Sequence, residues 1–103
     1  MAYPSKYSNS QVEILGEVGA AKQRSATTDS AYIALTSTTR RVSIKAVGAD
    51  MRYRFGTSSS DTASATSHYI ADGERLDFAC PEGTFIAVRT VSGTGALEIT
   101  ELV

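Results

Sequence analysis

The sequence predicts an all-β fold, a small antiparallel β-sandwich of jelly-roll-like build with 7–8 short strands. Three observations carry this. Apolar and polar residues alternate at period two over most of the chain after residue 30. Turn clusters bearing glycine or proline interrupt the alternation at short intervals. No stretch sustains an amphipathic helix: between Gln11 and Lys22 the stripe of Val12, Leu15 and Val18 is broken by Gly16 and Gly19, each costing about 1 kcal/mol in a helix interior.

The elements follow in order. "QVEIL", from Gln11, is a possible first strand, and "AYIALT" from Ala31 is the next. In "RRVSIKAV" Val42, Ile44 and Ala46 alternate with Arg41, Ser43 and Lys45; in "MRYRF" Met51, Tyr53 and Phe55 alternate with Arg52 and Arg54. "SHYIA" is a short strand. Leu76, Phe78 and Cys80 then alternate with Arg75, Asp77 and Ala79, and Leu97 and Ile99 with Glu98 and Thr100. Between these, "TFIAVRTV" is more continuously apolar, as a central strand would be. Gly48-Ala49-Asp50, Asp72-Gly73-Glu74, Pro81-Glu82-Gly83 and Ser92-Gly93-Thr94-Gly95 supply the turns. The phase places Val42, Ile44, Tyr53, Phe55, Leu76, Phe78, Ile86, Val88, Leu97 and Ile99 in one core between two sheets.

At 103 residues the chain has room for one core and not for a second, catalytic lobe. Residues 1–30 are small and polar around one apolar patch and read as an N-terminal arm with one possible strand; 31–103 form the sandwich domain. The net charge of −1 gives no whole-molecule attraction to nucleic acid or to an anionic membrane, so neither is expected as a partner. No window approaches the roughly 18 apolar residues of a membrane span, and "MAYPSKYSNS" lacks a signal-peptide core, so folding in a cytoplasm is expected. A lone Cys80 and a lone His68 exclude an internal disulfide and the usual zinc sites.

Enzymatic motifs fail on their own residues. "GTGALE" begins like a dinucleotide-binding glycine motif, but Glu98 stands where the third glycine belongs and a strand follows in place of a helix. "GTSSSD" lacks the second glycine and the strand-to-helix setting of a nucleophile elbow. His68, with Asp61 and Asp72 near in sequence, reads as a polar residue at a strand entrance, and Cys80, in phase with Leu76 and Phe78, as a core residue. No catalytic residue, cofactor or metal is expected.

What remains is charge and one loop. Arg40, Arg41, Lys45, Arg52 and Arg54 stand against the single acid Asp50, whereas acids gather after Asp72. If the two basic strands pair across the Gly48 turn, Arg41, Lys45, Arg52 and Arg54 share an outward face, an unfavourable arrangement unless opposite charge meets it. That charge comes from solvent, from acids of neighbouring strands, or from a partner surface such as the acidic side of a second copy, which makes a homo-oligomer an expectation. The stretch from Thr57 to His68 has no large apolar side chain and exceeds what a hairpin needs; Ser58, Ser59, Asp61 and His68 are its candidate contacts.

The run "YRFGTSSSDTASATSHYIADGERLDFACPEGTFIAVRTVSGTGALEITEL", Tyr53 to Leu102, resembles small structural proteins of tailed bacteriophages. The resemblance lies in an aromatic-Phe-Gly-Thr turn, a Ser/Thr/Ala-rich loop, a Tyr-Ile pair, the "PEGTFIAV" hairpin and the "SGTGALEITEL" terminal strand. It implies a non-enzymatic virion component, assembled in the bacterial host cytoplasm. Its expected partners are the major capsid protein or neighbouring virion subunits. A head decoration or cement protein is the first expectation, a neck, tail or fibre-associated subunit the second. A carbohydrate-binding module is the alternative from another class, weakened by the absence of Trp.

Overall fold

A computed structural model describes residues 18–102, all of it strand, turn and loop. Eight strands follow in order: β1 (Val18–Ala26), β2 (Ala31–Ala34), β3 (Arg41–Val47), β4 (Met51–Gly56), β5 (His68–Ile70), β6 (Arg75–Ala79), β7 (Phe85–Thr90) and β8 (Gly95–Leu102). They form two four-stranded antiparallel sheets: sheet A in the order β1-β8-β3-β6, and sheet B in the order β2-β7-β4-β5.

The pairings β4–β5, β3–β6, β2–β7 and β1–β8 are nested, as in one long hairpin whose tip is the β4–β5 loop. Rolling that hairpin brings β3 onto β8 and β4 onto β7, closing the two sheets over each other. This is the jelly-roll order. Consecutive strands β1 to β4 therefore alternate between the two sheets, crossing at every step.

Alternation selects the core. Val42, Ile44, Met51, Ile70, Ile86, Val88, Leu97 and Ile99 are fully buried between the sheets, and Tyr53 and Cys80 are nearly so. Phe55, Leu76 and Phe78, expected in the same core, pack against it while half-buried. Two glycines are demanded by the backbone. Gly48 has φ +91° in the β3–β4 turn, a conformation costly for other residues. Gly95 starts β8 so close to β3 that an added Cβ would lie 2.6 Å from the Val47 carbonyl oxygen.

The sandwich begins earlier than residue 31. Strand β1 pairs with β8 from Val18↔Leu102 to Ala26↔Gly95, and Ala26 is part of the core. Val18–Ala26, expected in the arm, belong to sheet A, and residues 27–30 connect them to β2. The possible strand "QVEIL" lies outside the described residues.

Candidate functional site

The four basic residues expected on one face are divided between two. Strands β3 and β4 lie in different sheets, so Arg41 and Lys45 sit on the outer side of sheet A, and Arg52 and Arg54 on the outer side of sheet B. The Gly48 turn is a crossover between layers and not a hairpin. On sheet A Lys45 stands between the acid Glu98 of β8 and the like charge Arg75 of β6, and Arg75 Nη1 is turned to Ser43 Oγ, to which it donates at 2.8 Å. Lys45 thus has an acid from its own chain beside it.

Like charges also meet on sheet B, with no acid among the described residues registered beside either of them, through a residue that local reading passed over. Arg52 is registered directly opposite Arg89 of β7. Such a pair is unfavourable by roughly 0.2–1 kcal/mol. Arg52 is occupied on one side, donating to Ser67 O at 3.1 Å with its guanidinium carbon 5.0 Å from the centre of the Tyr69 ring. Arg89 has no hydrogen-bond or ion-pair partner among the described residues. Asp50, in the turn just before β4, already accepts Asp72 N–H at 2.8 Å and the Tyr69 hydroxyl; these bonds hold its carboxyl below the usual range. The same face carries Tyr32 and Tyr69, each about half exposed (47% and 46%), and Phe85, whose ring lies 6.0 Å from that of Tyr32. Aromatic rings and arginines are the side chains enriched at protein interfaces.

The β4–β5 loop is a strap across this face. It leaves β4 at Gly56, and Arg54 holds its descending part through Asp61 (3.5 Å) and Thr62 O (3.4 Å). Ala63 N–H then donates to Ser30 Oγ at 2.9 Å. Ser30 precedes β2, which β7 separates from β4, so the loop reaches across the width of the β7 ladder. Ala87, outward by its register with Tyr32 and Arg54, is only 2% exposed, and Ala63 only 5%. The chain returns past Ser67, which receives Arg52.

Small side chains let the strap lie close to the sheet, and its hydroxyls satisfy its own backbone. Asp61 Oδ2 accepts the N–H groups of Thr57 (2.8 Å) and Ser58 (3.2 Å), which lower its pKa ahead of the contribution from Arg54. Ser58 and Ser60 share a hydrogen bond, and Ser64 N–H donates to Ser67 Oγ. Of the candidate contacts, Ser58 and Asp61 are therefore committed within the loop, while Ser59 is exposed. His68 is exposed on β5, its ring 5.5 Å from that of Tyr53. It is not joined to Asp61 or Asp72.

A buried acid fixes the opposite edge. Glu101 of β8, its side chain 4% exposed, accepts Lys22 Nζ at 2.8 Å, Thr36 N–H at 3.1 Å and the Thr39 hydroxyl. Burial alone would raise its pKa, but Lys22, Thr39 and Thr36 together bring it down to about 2. This residue looked like part of an acidic surface in sequence. The alternation of Leu97 and Ile99, continued by two, was the signal that it points inward.

Among the described residues no group of three or more His, Cys, Asp or Glu side chains is placed to hold a metal ion. No family model, curated protein or solved structure matches the chain.

Proposed function

We propose that this protein is a non-enzymatic structural component of a tailed-phage particle, a head decoration protein by preference, which binds its neighbours through the outer face of sheet B. The observation that carries the reading is the Arg52–Arg89 pair, two like charges side by side beside exposed tyrosines, with no acid among the described residues paired with Arg89. An unfavourable pair on an aromatic surface is relieved when a partner brings carboxylates to it, and arginine binds carboxylates through two parallel hydrogen bonds. The sequence resemblance from Tyr53 to Leu102 supports the particle assignment, and the jelly roll supports it as a fold that recurs in capsid and lectin domains.

The face sets the kind of partner: an acidic protein surface, on a capsid subunit or a second copy. The strap holds Arg52 and Arg54 in place by their guanidinium groups and so presents a rigid surface. Co-sedimentation with expanded, empty phage heads tests the reading, comparing the wild-type chain with Arg52→Glu/Arg89→Glu. Binding by the wild type alone supports it. Binding of neither protein to heads, with selective glycan binding by the wild type, would move the protein to the carbohydrate-binding class.

A further inference from the structure

The sandwich is open along one side. Strand β5 has three residues and covers only Met51–Tyr53, so Arg54–Gly56 have β7 on one flank and, among the described residues, no strand on the other. Across the gap, β6 is the edge of sheet A and among the described residues pairs with β3 alone. A cleft of about 530 Å³ lies between these two edges, lined by Tyr53, Arg54, Phe55, His68, Phe78 and Ala79. Its size falls in the range of about 300–1,000 Å³ typical of binding sites.

Its walls are rings set at angles to one another. Phe55 and Phe78 meet edge to face with centroids 5.1 Å apart, and Tyr53 lies 5.6 Å from Phe78 and 5.5 Å from His68. Tyr53 is 7% exposed and lines the cleft. Charges around the opening balance, with Arg54 beside Asp61 here and Arg41 beside Asp77 in the adjoining groove along β6. The site thus favours an apolar occupant.

The free β6 edge specifies what carries that apolar group. Every second residue of an edge strand turns its N–H and C=O outward, where an added strand completes the ladder. A chain laid along β6 alternates its side chains in register with Leu76 and Phe78, which face inward. Every second side chain of the added strand then enters the cleft. We infer that the cleft between β6 and the β4–β5 edge is a docking site for an extended, uncharged peptide segment of a partner protein, which adds to β6 and places a large apolar side chain among Tyr53, Phe55, His68 and Phe78. This site is separate from the outer face of sheet B and does not rest on the phage reading.

The test uses the ¹⁵N-labelled full chain and the probe acetyl-Thr-Val-Thr-Phe-Thr-Val-Thr-amide at about 1 mM, the affinity range of a single short strand. Amide shifts centred on β6 and on Tyr53 and His68 are expected. They should weaken about tenfold or more when the probe's Phe is Ala, and likewise when alternate backbone nitrogens are methylated. In the protein, Phe78→Leu and His68→Ala should each reduce binding, with the amide spectrum confirming that both are folded. Three outcomes overturn the proposal: no shifts with the parent peptide, shifts that survive backbone methylation, or saturation by p-cresol with no response to any peptide. The last would make the cleft a small-molecule site.

Discussion

Glu101 Oε2 lies 2.8 Å from Lys22 Nζ, tying β8 to β1 beneath the β2–β3 connection. Its pKa of about 2, against an ordinary 4.5, makes this contact pH-dependent. Because the folded value is depressed, the stabilisation is complete above pH 4.5 and is lost as pH falls towards 2. The shift corresponds to about 3 kcal/mol at neutral pH. Acid titration of the unfolding free energy should show this loss in the wild type. Glu101→Gln should be less stable at pH 7 by about 2–3 kcal/mol and should lack that part of the slope. Equal slopes for the two proteins would contradict the assignment.

Core depth differs between two residues that alternation places together. Ile44 is fully buried, whereas Phe78 stands half-buried at the open side of the sandwich. Ile44→Ala should cost about 2–5 kcal/mol. Phe78→Ala should fall below the roughly 3–5 kcal/mol expected for a fully buried Phe, because the lost ring already touches solvent. Denaturant midpoints at constant slope check the order. A larger loss at Phe78 would place the centre of the core elsewhere.

The strap makes a local prediction. Asp61→Ala removes the acceptor for the Thr57 and Ser58 amides, and Ser30→Ala the acceptor for Ala63. Hydrogen exchange at these amides should accelerate while the β3 and β8 amides keep their protection. Gly56→Ala should act similarly, since its Cβ would come within 2.6 Å of Asp61 Cβ. Unchanged exchange in all three variants would mean that the loop is held by something other than these bonds.

The faces of individual strands were legible in the sequence, and the layering was not. Period two separates Ile44 from Lys45 and Tyr53 from Arg54 without any tertiary knowledge. It is silent on whether the chain after Gly48 folds back in the same sheet or crosses to the other, because a tight turn serves both. The expected shared face of Arg41, Lys45, Arg52 and Arg54 failed at that step, and Arg89, the true neighbour of Arg52, is distant in sequence. Distance also hid the strap, whose anchor Ser30 stands far from Ala63 in the chain. Glu101 was hidden by its chemistry: an acid reads as surface until Lys22, Thr36 and Thr39 are seen around it.

Relief of the Arg52–Arg89 repulsion should separate stability from binding. Arg89→Thr removes one of two like charges and introduces a β-branched residue suited to a strand. Its melting temperature should equal the wild type's or exceed it by a few degrees, the scale set by a few tenths of a kcal/mol in a domain of this size. Its association with particles should nevertheless weaken. A clear drop in melting temperature would show that Arg89 serves the fold.

Particle binding by the double variant tests the central claim most directly. Wild type and Arg52→Glu/Arg89→Glu, each verified as folded by circular dichroism, would be co-sedimented with expanded, empty heads at low and high salt. Wild-type binding should be measurable at low salt and weaken as salt rises, since exposed charges are screened over about 8–10 Å at physiological ionic strength. Binding by the double variant should be lost under both conditions. Equal binding by the two proteins at every salt concentration would contradict the assignment of the outer face of sheet B as the contact.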